Sequence, residues 1–138
     1  MSGVTKAGIY VDAQNMYDNL YKAQFFVTKS DRMALFPHML NACLNVKSNF
    51  VLSYVASEPS RKLEFIENMI SEFENLKSDI ITMNRLNMLK SNQPLIDKSG
   101  EHNEEIKKTT GKSVKREISD ILARMEEQCE KWVQNIRA

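Results

Sequence analysis

Apolar and polar positions along the chain alternate between two rhythms. The run Ala7-Gly8-Ile9-Tyr10-Val11 is short and apolar and stops at the carboxylate of Asp12, the pattern of a buried strand running into a turn. From Asn15 to about Gln24, Met16, Tyr17, Leu20 and Tyr21 recur at helical spacing, so a helix is expected directly after that strand, and Phe25 to Arg32 reads as a connection. Proline suits the first turn of a helix and damages an interior, so Pro37 places the start of the next helix near Phe36, with Met39, Leu40, Cys43 and Leu44 turned inward. Phe50 to Ala56, rich in β-branched and aromatic residues, predicts a second strand. It ends at Ser57-Glu58-Pro59-Ser60, which can both turn the chain and cap a helix. In the helix that follows, Leu63, Ile66, Met69, Ile70, Phe73 and Leu76 form one stripe, with Arg61, Lys62, Glu67, Glu72 and Glu74 mostly off it. Asp79 to Met83 predicts a third strand.

This β-α-β-α-β alternation predicts an α/β fold, a small parallel sheet flanked by helices, because parallel neighbours need helix-length crossovers. After Asn84 the pattern lapses. Leu95-Ile96 reads as a short strand or hairpin arm, and Asp97 to Lys112 is polar and expected to be mobile. From Ser113 onward Val114, Ile118, Ile121, Met125, Gln128 or Cys129, Trp132 and Ile136 recur every three or four residues, which predicts a long amphipathic helix with a seam near heptad spacing. The expected organisation is one domain over 1–138, with an α/β part at 1–96, a basic loop at 97–112 and the long helix at 113–138. The seam suits either of two uses, as a homodimer interface or as a cover for the sheet.

Composition narrows the classes. A chain of 138 residues leaves room for one compact domain, and 42% hydrophobic with 27% charged residues is ordinary for a globular protein with a core. The 19 basic and 18 acidic side chains sum to +1, so any polyanion site must be local. No run approaches a membrane span, and MSGVTKAG lacks the apolar core of a signal peptide, so an intracellular, cytoplasmic protein is expected. Cys43 and Cys129 stand apart, with only His38 and His102 for company, which argues against a disulfide scaffold or a structural zinc site.

Candidate chemistry lies past the carboxyl ends of the expected strands, at Asp12, Glu58 and Asn84, with Asn15 one helical turn after Asp12. Such oxygen donors suit Mg²⁺ or Mn²⁺. The same residues have a structural reading: Asp12 and Asn15 as the start of a helix, Glu58 as a first-turn acid complementing a helix dipole.

The run Gly8-Ile9-Tyr10-Val11-Asp12-Ala13-Gln14-Asn15-Met16-Tyr17 resembles the opening of NYN domains, PIN-like ribonuclease relatives that begin with an apolar strand, Asp, two residues, Asn and an apolar residue. Tyr54-Val55-Ala56-Ser57 and Ile80-Ile81-Thr82-Met83 are similar to that family's second and third strands. The resemblance covers about the first 85 residues. It implies a metal-dependent endoribonuclease that hydrolyses RNA phosphodiesters, with Asp12 holding the metal and Asn15 supporting it. Members usually carry further aspartates in a Ser-Gly-Asp-x-Asp turn, which this chain lacks. Its nearest late acids are Glu117 and Asp120 on the terminal helix, so the shell would be Asp12 with Asp120, Glu117 or Glu58. The alternative reading of Glu117 and Asp120, and the preferred one, is a solvated polar face beside Lys115, Arg116 and Arg124. The rival expectation is a PIN-like RNA-binding or protein-assembly module without catalysis, dimerising through the terminal helix.

Lys107, Lys108, Lys112, Lys115 and Arg116 form the one strong local charge bias, suited to a phosphate backbone and hence to RNA as a partner, or to a solvated loop balanced by Glu101, Glu104 and Glu105. Gly111-Lys112-Ser113 mimics the end of a P-loop, but Ile106 stands where the motif requires glycine. An Asp-x-Asp phosphatase motif, a Gly-x-Ser-x-Gly elbow, a dinucleotide fingerprint and His-Glu-x-x-His are all missing from the sequence. Met69, Met83, Met88 and Met125 are expected as core fillers or interface residues.

Overall fold

A computed structural model describes residues 7–91, 94–95 and 110–137. Among these residues the chain forms four long helices and no strand: α1 (Gly8–Ala23), α2 (Lys29–Val55), α3 (Pro59–Arg85) and α4 (Gly111–Arg137), with a 3₁₀ turn at Gln24–Phe26. The expected α/β fold is therefore corrected to an all-α bundle. The likeness to NYN domains falls with it, because a PIN-like fold requires a parallel sheet.

The correction has one physical cause, repeated three times. In each segment read as a strand, one or two residues continue a buried helical stripe while their neighbours point elsewhere. Ile9 begins the series Ile9, Ala13, Met16, Leu20 and Ala23 on α1, while Val11 is exposed. Phe50 and Ser53 continue Phe36, Met39, Cys43 and Val46 on α2, while Leu52, Tyr54 and Val55 are exposed. Ile80 and Met83 continue Ile66, Met69, Phe73 and Leu76 on α3, while Ile81 is exposed. A short apolar run fits strand and helix equally, and burial on the 3.6-residue period decided for helix.

Spacings of three and four alternate along α1, α2 and α3, and α4 shows the same rhythm through Val114, Ile118, Ile121 and Met125, with Cys129 next. This is the pattern of helices packing nearly along one another. Short links between α1 and α2 and between α2 and α3 force antiparallel neighbours. α2 packs on α1 and α3, and α1 packs on α2 and α4, with a lighter contact between α3 and α4. Paired side chains fix the directions. His38 meets Asp79 and Asn45 meets Glu72 across α2 and α3, and Asp12 meets Arg124 across α1 and α4. The result is an up-down-up-down bundle with one contiguous core, into which Met69, Met83, Met88 and Met125 are packed.

Helix ends are closed by local chemistry. Thr28 caps α2 by accepting from the Asp31 backbone N–H at 3.2 Å. At the end of α3, Asn87 takes a left-handed conformation (φ 52°), and the Met88 and Asn87 amides donate to the Met83 and Asn84 carbonyls. That Schellman arrangement also buries Met88 near Met83. Thr110 and Ser113 cap α4 reciprocally, Ser113 N–H to Thr110 Oγ1 at 3.0 Å and Thr110 N–H to Ser113 Oγ at 3.1 Å. The bundle end between α1 and α2 is plugged by Phe25, Phe26 and Val27, and the Phe25 carbonyl accepts from the Leu95 amide at 2.6 Å.

α2 begins at Lys29 rather than near Phe36, so Pro37 lies inside the helix and not in its first turn. It is exposed, and its neighbours Phe36 and Met39 are buried. A helix-interior proline costs about 3 kcal/mol, which the burial of Phe36 and Met39 offsets. Pro37→Ala is expected to raise stability by about 1–3 kcal/mol in urea unfolding, whereas Phe36→Ala lowers it by about 3–5 kcal/mol.

Candidate functional site

Asp12, the residue that the sequence pattern sets at a strand end, is the fifth residue of α1 and lies on its buried side. Only 7% of it is exposed, the lowest of any ionisable group with an acidic side chain among the described residues. Its Oδ2 accepts from Gln128 Nε2 at 2.7 Å and its Oδ1 from Arg124 Nε at 3.3 Å. Gln128 also donates to the Arg124 carbonyl at 3.2 Å, so the amide bridges two partners. A Cβ at Gly8 would stand 2.7 Å from Gln128 Oε1, so a larger residue there would make the flexible end of that amide shift. The carboxylate is therefore held by a cation and an amide reaching from α4, a polar clasp between the first and last helices.

The remaining expected site residues are placed as follows. Asn15 is exposed on α1, and its backbone carbonyl accepts from Asn19 Nδ2 at 2.8 Å. Glu58 is the residue before α3, exposed, its carbonyl accepting from the Arg61 and Lys62 amides. Asn84 lies in the last turn of α3 with a buried side-chain oxygen lacking a partner among the described residues. Glu117 and Asp120 are exposed on α4. Among the described residues no three His, Cys, Asp or Glu side chains are grouped so as to hold a metal ion. Lys112 and Arg116 are exposed on the first turns of α4 and Lys115 is half-buried, while Lys107 and Lys108 lie outside the described residues. Gly111 of the P-loop-like run has a packing role. A Cβ there would overlap the Ser91 carbonyl oxygen, so glycine lets the start of α4 approach that segment.

Neither thiol is a nucleophile at neutral pH. Burial pushes Cys43 up to about 12, and burial with the charges of Glu74 and Glu126 pushes Cys129 up to about 12. The hydrogen bond and charge of Asp79 raise the pKa of the exposed His38. The seam of α4 is used within the chain: Val114, Ile118, Ile121, Met125 and Cys129 are buried in the bundle, and Trp132 stands edge-on to Phe50 of α2 with ring centroids 6.3 Å apart.

What remains conspicuous is the outward side of α2. From Met33 to Ser57 the chain has no carboxylate, and Lys47 is its one formal charge besides the titratable His38. Leu44, Leu52 and Val55 are 42–51% exposed, beside half-buried Val51. α3 and α4 differ, presenting Glu64, Glu67 and Glu74 and Lys112, Glu117, Asp120 and Lys131 to solvent. Leu52 stands between two open concavities, one lined by Tyr10, Leu44, Lys47, Ser48 and Val51, the other by Val55, Ala56, Glu58, Arg61 and Phe65. Lys47 lies 4.9 Å above the Tyr10 ring and donates to Gln14 Oε1. The signal was present in the sequence as a stretch without carboxylates, but a run read as helix, then strand, concealed that it forms one helix.

Among the described residues no helix is long and apolar enough to cross a membrane. Comparisons with protein-family models, curated proteins and solved structures found no match for this chain.

Two outcomes are expected from these contacts. Arg124 is half exposed, so its ion pair is worth less than about 1 kcal/mol, and Gln128 carries more of the clasp. Asp12→Ala should cost about 1–2 kcal/mol in urea unfolding, and a double-mutant cycle with Gln128→Ala should show coupling near 1 kcal/mol. His38 has a folded-state pKa raised above the ordinary 6.5, so its pairing stabilises fully below that pH and is lost as pH rises through the folded value. His38→Gln should accordingly be destabilising in mild acid, with the difference from wild type vanishing in alkali.

Proposed function

We propose that the protein is a helical assembly module that works by docking a protein helix onto the outward side of α2. The observation that supports this reading is the Leu44–Val55 face. α2 buries one side in the core, while Leu44, Leu52 and Val55 on its other side face water with few charges around them. Nothing within the described chain covers Leu52 or Val55. The clasped carboxylate of Asp12 and the protonated thiols have structural work already, consistent with a surface rather than a reactive centre as the working part. Grooves of this kind take an amphipathic helix whose apolar positions repeat at three and four residues.

Radical footprinting tests the reading. Leu44, Leu52 and Val55 should be labelled freely in dilute purified protein and protected several-fold inside cells, while exposed Ile81 on α3 is labelled alike in both. Equal labelling of the α2 face in both settings would overturn the proposal.

A further inference from the structure

We infer that the occupant of this face is a second copy of the same chain, packed with its α2 antiparallel about a two-fold axis at Leu52. This rests on the assembly reading above and adds the identity and geometry of the partner. The argument is charge complementarity along the stripe. Lys47 lines the concavity on one side of Leu52, and Glu58 lines the concavity on the other. They flank Leu52 on opposite sides: Lys47 lies five residues before it on α2, and Glu58 lies in the extended link three residues past the end of that helix at Val55.

A two-fold interface is self-complementary: if residue i meets j, then j meets i. Antiparallel packing about Leu52 brings each Lys47 to Glu58 of the partner subunit, twice, with no like charges opposed. Parallel packing would instead set Lys47 against the partner's Lys47, an unfavourable pair in an otherwise uncharged stripe. Neither group is committed to an opposite charge in the single chain. Among the described residues Glu58 has no ion pair, and Lys47 is held by an amide oxygen and an aromatic ring rather than a carboxylate. Arg61, the other cation at that concavity, is already paired with Glu64 at 3.7 Å and lies over the Phe65 ring, 5.1 Å from its centroid. Ser48, Ala56 and Ser57 are small, so the protruding Leu52 and Val55 of one copy find low ground on the other.

Sedimentation equilibrium of the full chain across a concentration series tests the inference. A reversible dimer is expected. Leu52→Asp should make it monomeric with unchanged circular dichroism. Lys47→Glu and Glu58→Lys should each weaken dimerisation about tenfold at low salt, and the double variant should recover most of the loss, because each reversed charge again meets its opposite across the two-fold. A wild-type chain that stays monomeric throughout, a dimer indifferent to Leu52→Asp, or a double variant no better than the singles would overturn the second copy as occupant. A monomer whose α2 face is still protected inside cells would leave the assembly reading standing and overturn only the self-pairing. Loss of that protection would remove both.

Discussion

Every helix of this bundle places its apolar residues at alternating intervals of three and four, and the rest of the structure depends on that one constraint. The spacing keeps a single stripe aligned along each helix, so that four stripes of similar length close on a common core. Marginal local features are carried by this packing. α2 tolerates a proline in its interior because buried residues flank it, and the Phe25-Phe26-Val27 turn is held by inserting its side chains into the end of the same core. The polar chemistry of the helix ends, at Thr28, Asn87 and Thr110, sets where each stripe starts or stops.

Asp12 shows how a polar group enters such a core without disrupting it. It lies on the edge of the buried stripe of α1, where Arg124 and Gln128 can reach it from α4 while Arg124 remains half in water. Both carboxylate oxygens are satisfied in the observed alignment of the two helices, with Arg124 and Gln128 of α4 opposite Asp12 of α1. Gly8 belongs to the same device, since a larger residue would displace the amide. Lys77 and Glu126, 2.7 Å apart, supply a corresponding link where α4 meets α3 more lightly.

α2 stands apart from the other helices. Its inner side obeys the shared rhythm, but its outer side replaces the expected charges with Leu44, Ser48, Leu52 and Val55. A helix on the outside of a bundle ordinarily carries charges on its solvent side, and the sparsely charged outer side of α2 is the feature on which the proposed docking rests.

The helical stripe of α3 through Leu76 and the seam of α4 were legible in the amino-acid order, because each is long, periodic and opposed by charges. The first, second and third expected strands were misread, because Ile9, Phe50 and Ile80 sit among β-branched and aromatic neighbours whose local preference is for strand, a preference that burial on the helical period overrides. At the candidate site the sequence pointed to Asp12 as a metal-holding carboxylate past a strand end, whereas the structure places it on α1 against Arg124 and Gln128, partners on a helix far along the chain that no local pattern could indicate. Local spacing determined where apolar side chains repeat, how charge is distributed and that the stretch from Met33 to Ser57 lacks acids. Only the tertiary structure decided which of those apolar residues are inside, because burial depends on which helices meet, and that choice is made by contacts between distant segments rather than by any run of neighbours.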